Sequence, residues 1–191
     1  MGNKPSAQGT LRLARPLPED KEEVEVFKQE FIEEGRKVIN GSASLDKLAF
    51  EEWLASIQNN SSPDTVADDW VVSSTFLALR KADGRIVGII DLRHDLGKDL
   101  LAQYHGHISY SVRPSERNKG YAYEMLRLVL DFAQSIGLKK VMIGCRLRNI
   151  ASQKVIARYG GVLTETKPYL DGEMMGVYWI DLDKVCSHTA Q

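Results

Sequence analysis

Between Arg113 and Met125 the chain reads RPSERNKGYAYEM, which puts Arg113, Arg117 and Lys119 around Gly120 just before an apolar helical pattern begins. A helix start leaves several backbone N–H groups unpaired and carries about half a positive charge, so it attracts phosphate unaided. Gly120 lets a ligand approach the backbone, Ala122 keeps the first turn slim, and Arg117 and Lys119 add cationic charge. A diphosphate suits that turn. No G-x-x-x-x-G-K-[ST] occurs, and the turn has one glycine where the dinucleotide fingerprint needs three, so ATP or NAD in their usual folds is excluded.

The elements that must carry this turn follow from periodicity. LRLARP (Leu11 to Pro16) alternates as a half-buried strand. Val24, Phe27, Phe31 and Val38 predict a helix over 19–38 with Gly41 past its end, and Leu48, Trp53 and Leu54 predict a second over 45–57. Val71 to Arg80 and Arg85 to Arg93, joined by ADG, read as a hairpin, and GHISYSVRP as a further strand stopped by Pro114. After Gly120, a long helix places Met125, Val129, Phe132, Ala133 and Ile136 on one face and ends at Gly137. KVMIGCRL reads as a buried strand, NIASQKVIARYGG as a helix capped by Asn149 and closed by Gly160, and MMGVYWIDL as a late strand. The order predicts one α/β domain over 10–185: one sheet with helices on its faces, preceded by a leader (1–9) and followed by a short tail (186–191).

A chain of 191 residues, 43% hydrophobic, can bury one core. Lys and Arg number 25 against 26 Asp and Glu, so there is no global basic field for nucleic acid or an anionic membrane. Cys145 and Cys186 lack metal-ligand spacing, which predicts reduced thiols, no metal and a cytoplasmic setting. No apolar run is long enough to span a bilayer, and the start lacks a secretion-type segment. MGNKPS satisfies the loose pattern for myristoylation of Gly2, and also reads simply as a polar leader.

Ile108 to Leu163 resembles the core of the GNAT superfamily of acyl-CoA-dependent N-acyltransferases, and the similarity extends over about residues 70–183. The family motif [RQ]-x-x-G-x-[GA] is matched by Arg117, Asn118, Lys119, Gly120, Tyr121 and Ala122. A second element, N-x-x-[AS] opening a short helix that ends in glycine, is matched by Asn149, Ser152 and Gly160. The resemblance implies the GNAT fold, a mixed, mostly antiparallel central sheet with helices on both faces, and acetyl-CoA as co-substrate. It implies that the amides of Asn118 through Tyr121 cradle the diphosphate. Val112, with Ser111 and Arg113, would bond the pantetheine arm, and Asn149 would hold it from the other side or serve only as a helix cap. The acceptor would be a primary amine of a small molecule or peptide; a homodimer is compatible with this reading.

Attack on a thioester needs a neutral amine, and an ammonium with a pKa near ~10 must first lose a proton. Alternation puts His107, Ser109 and Ser111 on one sheet face and Ile108, Tyr110 and Val112 on the other. His107 is the base candidate if the first set lines the cleft, and Tyr110 is better placed if the second does. Many family members have a tyrosine acid seven residues after the helix-opening Asn; here that position is Ile156, and Tyr159 lies three residues beyond. An acyl-CoA-binding sensor without turnover is the alternative reading. His94 is a weaker base candidate, and Asp91 with Arg93 could form an ion pair or a substrate anchor. Trp53, Trp70 and Trp179 are expected to fill the core.

Overall fold

The alternation of Leu11–Ala14 forms strand β1 at one edge of the fold, in a computed structural model that describes residues 9–185. Chain order continues with helices α1 (Lys21–Glu33) and α2 (Phe50–Asn59), then strands β2 (Ser73–Arg80), β3 (Ile86–Arg93) and β4 (Ile108–Val112). Helix α3 (Tyr121–Ser135), strand β5 (Lys140–Arg146), helix α4 (Ile150–Arg158), strands β6 (Val162–Pro168) and β7 (Met174–Asp181) and the short α5 (Leu182–Val185) complete it. The myristoylation pattern at Gly2, the rest of the leader and tail, and Cys186 lie outside the described residues.

The expected single sheet is in fact two, β1-β2-β3-β4 and β5-β7-β6, with every neighbouring pair antiparallel. Helices cover both faces as expected. On one, Val24, Phe27 and Phe31 of α1 and Phe50, Trp53, Leu54 and Ile57 of α2 pack on Leu77, Leu79, Ile86 and Ile89. On the other, Met125, Leu126, Val129 and Leu130 of α3 meet Ile90, Leu92 and Ile108 of the first sheet and Val141, Ile143 and Ile180 of the second. Burying each such side chain stabilises by about 1.5–3 kcal/mol before entropy is counted, so α3 is the element that holds the two sheets together.

Several boundaries differ from expectation. Helix α1 stops at Glu33 because Gly35, in the left-handed region at φ 75, ends it: the N–H groups of Gly35 and Arg36 bond back to Ile32 O and Phe31 O. Val38 is therefore outside the helix and exposed. Helix α2 begins at Phe50, since Gly41, Ala43 and Ser44 all have positive φ. Strand β6 escaped detection: it is an exposed edge strand, with a register irregularity between Leu163 and Glu165 that erases its alternation. Trp53 fills the core, but Trp70 is 37% exposed over Arg93, and Ile136 is 38% exposed because α3 ends before it.

Candidate functional site: the gap between β4 and β5

The two sheets meet along β4 and β5, and the gap between these strands is shut at one end and open at the other. At the shut end the His107 N–H donates to Met142 O (2.8 Å) and the Met142 N–H donates to His107 Nδ1 (2.9 Å). A one-turn π-helix (Leu101–His105) packs here so tightly that a Cβ on Gly144 would lie 1.5 Å from Tyr104 O. Beyond the bridge between Gly106 and Ile143 the two strands belong to separate sheets and share no ladder. Arg93 N bonds His107 O and Arg113 N bonds Val87 O, so the odd-numbered residues of β4 turn their backbone groups toward β3. By alternation, Tyr110 and Val112 present their N–H and C=O to the gap.

Helix α3 follows β4 in the chain, and α4 begins against β4 through Ser152. Gly120, which has no side chain of its own to cap the helix, is the N-cap of α3 at φ 88, ψ 0, and Asn118 is also left-handed at φ 63. Left-handed residues two apart curl successive amides into the kind of concavity that binds anions. Across the gap Asn149 caps α4, its side-chain oxygen accepting from Ser152 N at 3.1 Å. Of its two sequence readings, the cap is therefore formed. Ser152 Oγ lies 2.9 Å from Tyr110 Oη, so β4 and α4 touch through hydroxyls over the floor of the gap. Burial pushes the Tyr110 phenol well above its ordinary range, which keeps its proton in place at neutral pH. Cys145, a free thiol near these hydroxyls, is buried, and burial pushes its pKa up.

The remaining expected site residues fall elsewhere. His107 is on the α1–α2 side, 6% exposed, with Nδ1 taken by Met142 and its ring edge-on to Trp179; burial pushes its pKa down to about 4. The Tyr159 hydroxyl donates to Tyr123 O in the first turn of α3, and Ile156, where the family's acid would stand, is fully buried. Ser111 lies opposite Ile89 on the α1–α2 face. Arg113 is committed to the fold: 1% exposed, it bonds Glu30 (2.6 Å), Glu23 (2.6 Å) and Ile86 O (3.0 Å). Asp91 and Arg93 form a buried ion pair at 3.6 Å, supported by Thr75 and by Ser109 and Gly106 O. His94 bonds Ser74.

The cations of the turn carry partners that no local sequence signal announced. Lys119 bonds Glu116 at 2.8 Å, and Glu116, 4% exposed, also meets Arg80 (3.0 Å) and Arg85 (3.7 Å). Burial works to raise the Glu116 carboxyl pKa, but Lys119 and Arg80 outweigh it and hold the group below its ordinary value. Arg117 makes a two-pronged pair with Glu34, at the end of α1, and stands over the Phe31 ring. The Tyr121 hydroxyl accepts from Arg80, leaving its backbone in the first turn of α3 as the part near the site. Among the described residues no group of His, Cys, Asp and Glu could hold a metal ion, and no helix is long and apolar enough to cross a membrane.

Comparison with known proteins agrees with this architecture. The structure is similar to spermidine/spermine N-acetyltransferase SpeG from Vibrio cholerae (TM-score 0.67, 14% identity, covering 95% of this chain and 99% of that one). It is also similar to an acetyltransferase of the GNAT family from Streptococcus pneumoniae (TM-score 0.64, 20% identity, 88% and 97% covered). A third is yncA from Salmonella typhimurium, solved with its cofactor acetyl-CoA (TM-score 0.64, 14% identity, 92% and 96% covered). A search of curated proteins finds no match. The family model for the acetyltransferase (GNAT) domain matches residues 10–162, and on that match the chain belongs to the GNAT acetyltransferase family.

Proposed function

We propose that the protein is an N-acetyltransferase that moves an acetyl group from acetyl-CoA to a primary amine of a small molecule or peptide. The observation that carries this reading is the start of α3, with Gly120 and Asn118 left-handed, following a strand in which Val112 turns its backbone away from β3. The amides of Asn118 through Tyr121 take the diphosphate of the donor; Val112 bonds the pantetheine arm, aided by Asn149 and Ser152. The neutral amine attacks the thioester carbon, the oxyanion draws stabilisation from a gap-facing β4 amide, and the C–S bond breaks. The surplus proton of the amine nitrogen passes to the departing thiolate through the Tyr110 hydroxyl, which gives one proton to sulfur as it takes one up and which Ser152 fixes in place. His107 holds the strands together, because its accessible lone pair is already taken by Met142.

Ile156, standing where many family members carry a tyrosine, favours a second reading, an acyl-CoA sensor of the same fold that does not turn over. Calorimetry with CoA, ATP and NAD, followed by thiol release from acetyl-CoA with a panel of amines, separates the readings. The enzyme reading expects binding of CoA alone and thiol release with at least one amine. Tight CoA binding without release supports the sensor, and no CoA binding overturns both.

A further inference from the structure

We propose that Glu34 is a positioning residue: it holds Arg117 in place of a phosphate, so that donor binding and the loop between α1 and α2 are coupled. The proposal rests on the reading of the α3 turn as a diphosphate site. Both cations flanking that turn are held by carboxylates, but not equivalently. Glu116, 4% exposed, retains Arg80 and Arg85 when Lys119 leaves it. Glu34 is 36% exposed and its pair with Arg117, itself 31% exposed, is open to exchange with a solvent anion; when Arg117 leaves, only Arg36 (2.9 Å) remains. A diphosphate carries more charge than a carboxylate and meets the same two-pronged guanidinium geometry, so it displaces Glu34 as Arg117's partner.

The consequence falls on α1. Glu34 is the C-cap of α1, and the last turn contains no basic residue. A carboxylate at a helix C-terminus is disfavoured by the helix dipole; Arg117, reaching across from the start of α3, offsets that and packs on Phe31 of the same turn. Arg117's departure weakens the end of α1 where the loop 35–49 begins. That loop lies on β4: a Cβ on Gly41 would sit 2.3 Å from Ser109 O, and Ala43 and Ser44 hold left-handed backbone, a store of strain. The Trp53 Nε1–H pins it by donating to Ser42 O at 2.6 Å. Diphosphate at one end of the latch therefore loosens the segment that covers β4 at Ser109 and Tyr110.

The test is calorimetry of CoA binding to the whole protein and to Glu34→Gln, with Glu33→Gln as control. Glu33 is adjacent and removes the same charge, but its carboxylate bonds Gln29 and not Arg117. Glu34→Gln is expected to bind CoA about three-fold tighter, the scale of one exposed ion pair, and with a steeper salt dependence because Arg117 is free to add a phosphate contact. Glu33→Gln is expected to match the unaltered protein. Hydrogen exchange of residues 36–46 should quicken when CoA binds the unaltered protein, and should not respond to CoA in Glu34→Gln, which leaves no carboxylate at the helix end for Arg117 to offset. Equal or weaker CoA binding by Glu34→Gln, or loop exchange indifferent to CoA in the unaltered protein, overturns the coupling. Failure of the unaltered protein to bind CoA overturns the diphosphate reading first, and the latch with it.

Discussion

The two ends of the β4–β5 gap are built from the same two strands and do opposite things. At the His107 end, backbone and ring together close the strands with paired hydrogen bonds, and Gly106 and Gly144 let chain segments touch with no side chain between. At the Val112 end the backbone groups of Tyr110 and Val112 turn away from β3 without a β5 ladder, and the start of α4 meets β4 through Ser152 and Tyr110. A sheet tolerates unpaired ladder positions only where something else can satisfy them, so on the proposed reading the donor occupies the open end and the shut end steadies it. On that reading a polar residue in β4 has its role decided by which end it occupies: His107 closes the strands on Met142, and Tyr110 stands beside Ser152 at the proposed site.

Changes at the shut end should cost stability, changes at the open end activity. The largest effect is expected from Gly144→Val, whose Cβ would meet Tyr104 O at 1.5 Å; backbone cannot yield as a flexible side chain does, so the folded protein should be lost, visible as a missing cooperative melt. A variant that melts normally would show that the shut end is not rigid. Gly120→Val, at φ 88, should weaken CoA binding by roughly 100-fold or more in calorimetry while a cooperative melt persists, because strain at one exposed turn costs about 1–3 kcal/mol. Retained CoA affinity would remove the turn from the site.

Acid provides the next contrast. The pKa of His107 lies at about 4 in the fold, below its unfolded value near ~6.5. Its contribution is therefore complete above pH ~6.5 and is lost as pH falls from there through about 4, amounting to on the order of 2–3 kcal/mol. Denaturant melts at pH 7 and pH 4.5 should diverge for the unaltered protein and converge for His107→Asn, whose amide oxygen can still accept from Met142 without titrating. Equal acid sensitivity in the two proteins would assign the pH effect elsewhere. The smallest effect is expected from Tyr110→Phe: turnover lower by about ten-fold, less than the roughly 100-fold a full proton donor contributes because a CoA thiolate can leave unaided, with CoA affinity almost unchanged. An unchanged rate would make Tyr110 merely a strut between β4 and α4.

Much of this was legible before any coordinates. The α3 turn announces itself locally, since Gly120, its neighbouring cations and the apolar period after it all act within a few residues. The cap on α4 is equally local, Asn149 reaching only to Ser152. Less legible were features whose signal is spread or blurred: β6, exposed along most of its length with its alternation interrupted, and the end of α1, where Gly35 stops the helix despite an apolar period that continues to Val38. Alternation alone separated His107 from Tyr110 into two faces but could not say which face a substrate would meet.

What the chain determined by itself is whatever rests on neighbours in sequence: periodicity, caps, turns, and hence the helix start that invites an anion. What only the tertiary structure decided is which distant groups claim each other. Glu34 and Arg117 are 83 residues apart, His107 and Met142 are 35, and Tyr110 and Ser152 are 42. Charge and hydrogen-bonding capacity are written in residue types, but a hydrogen bond acts only at contact and salt screens exposed charges beyond about 10 Å. Their partners are therefore chosen by packing, and packing joins the two sheets through α3 before any of these pairs can form.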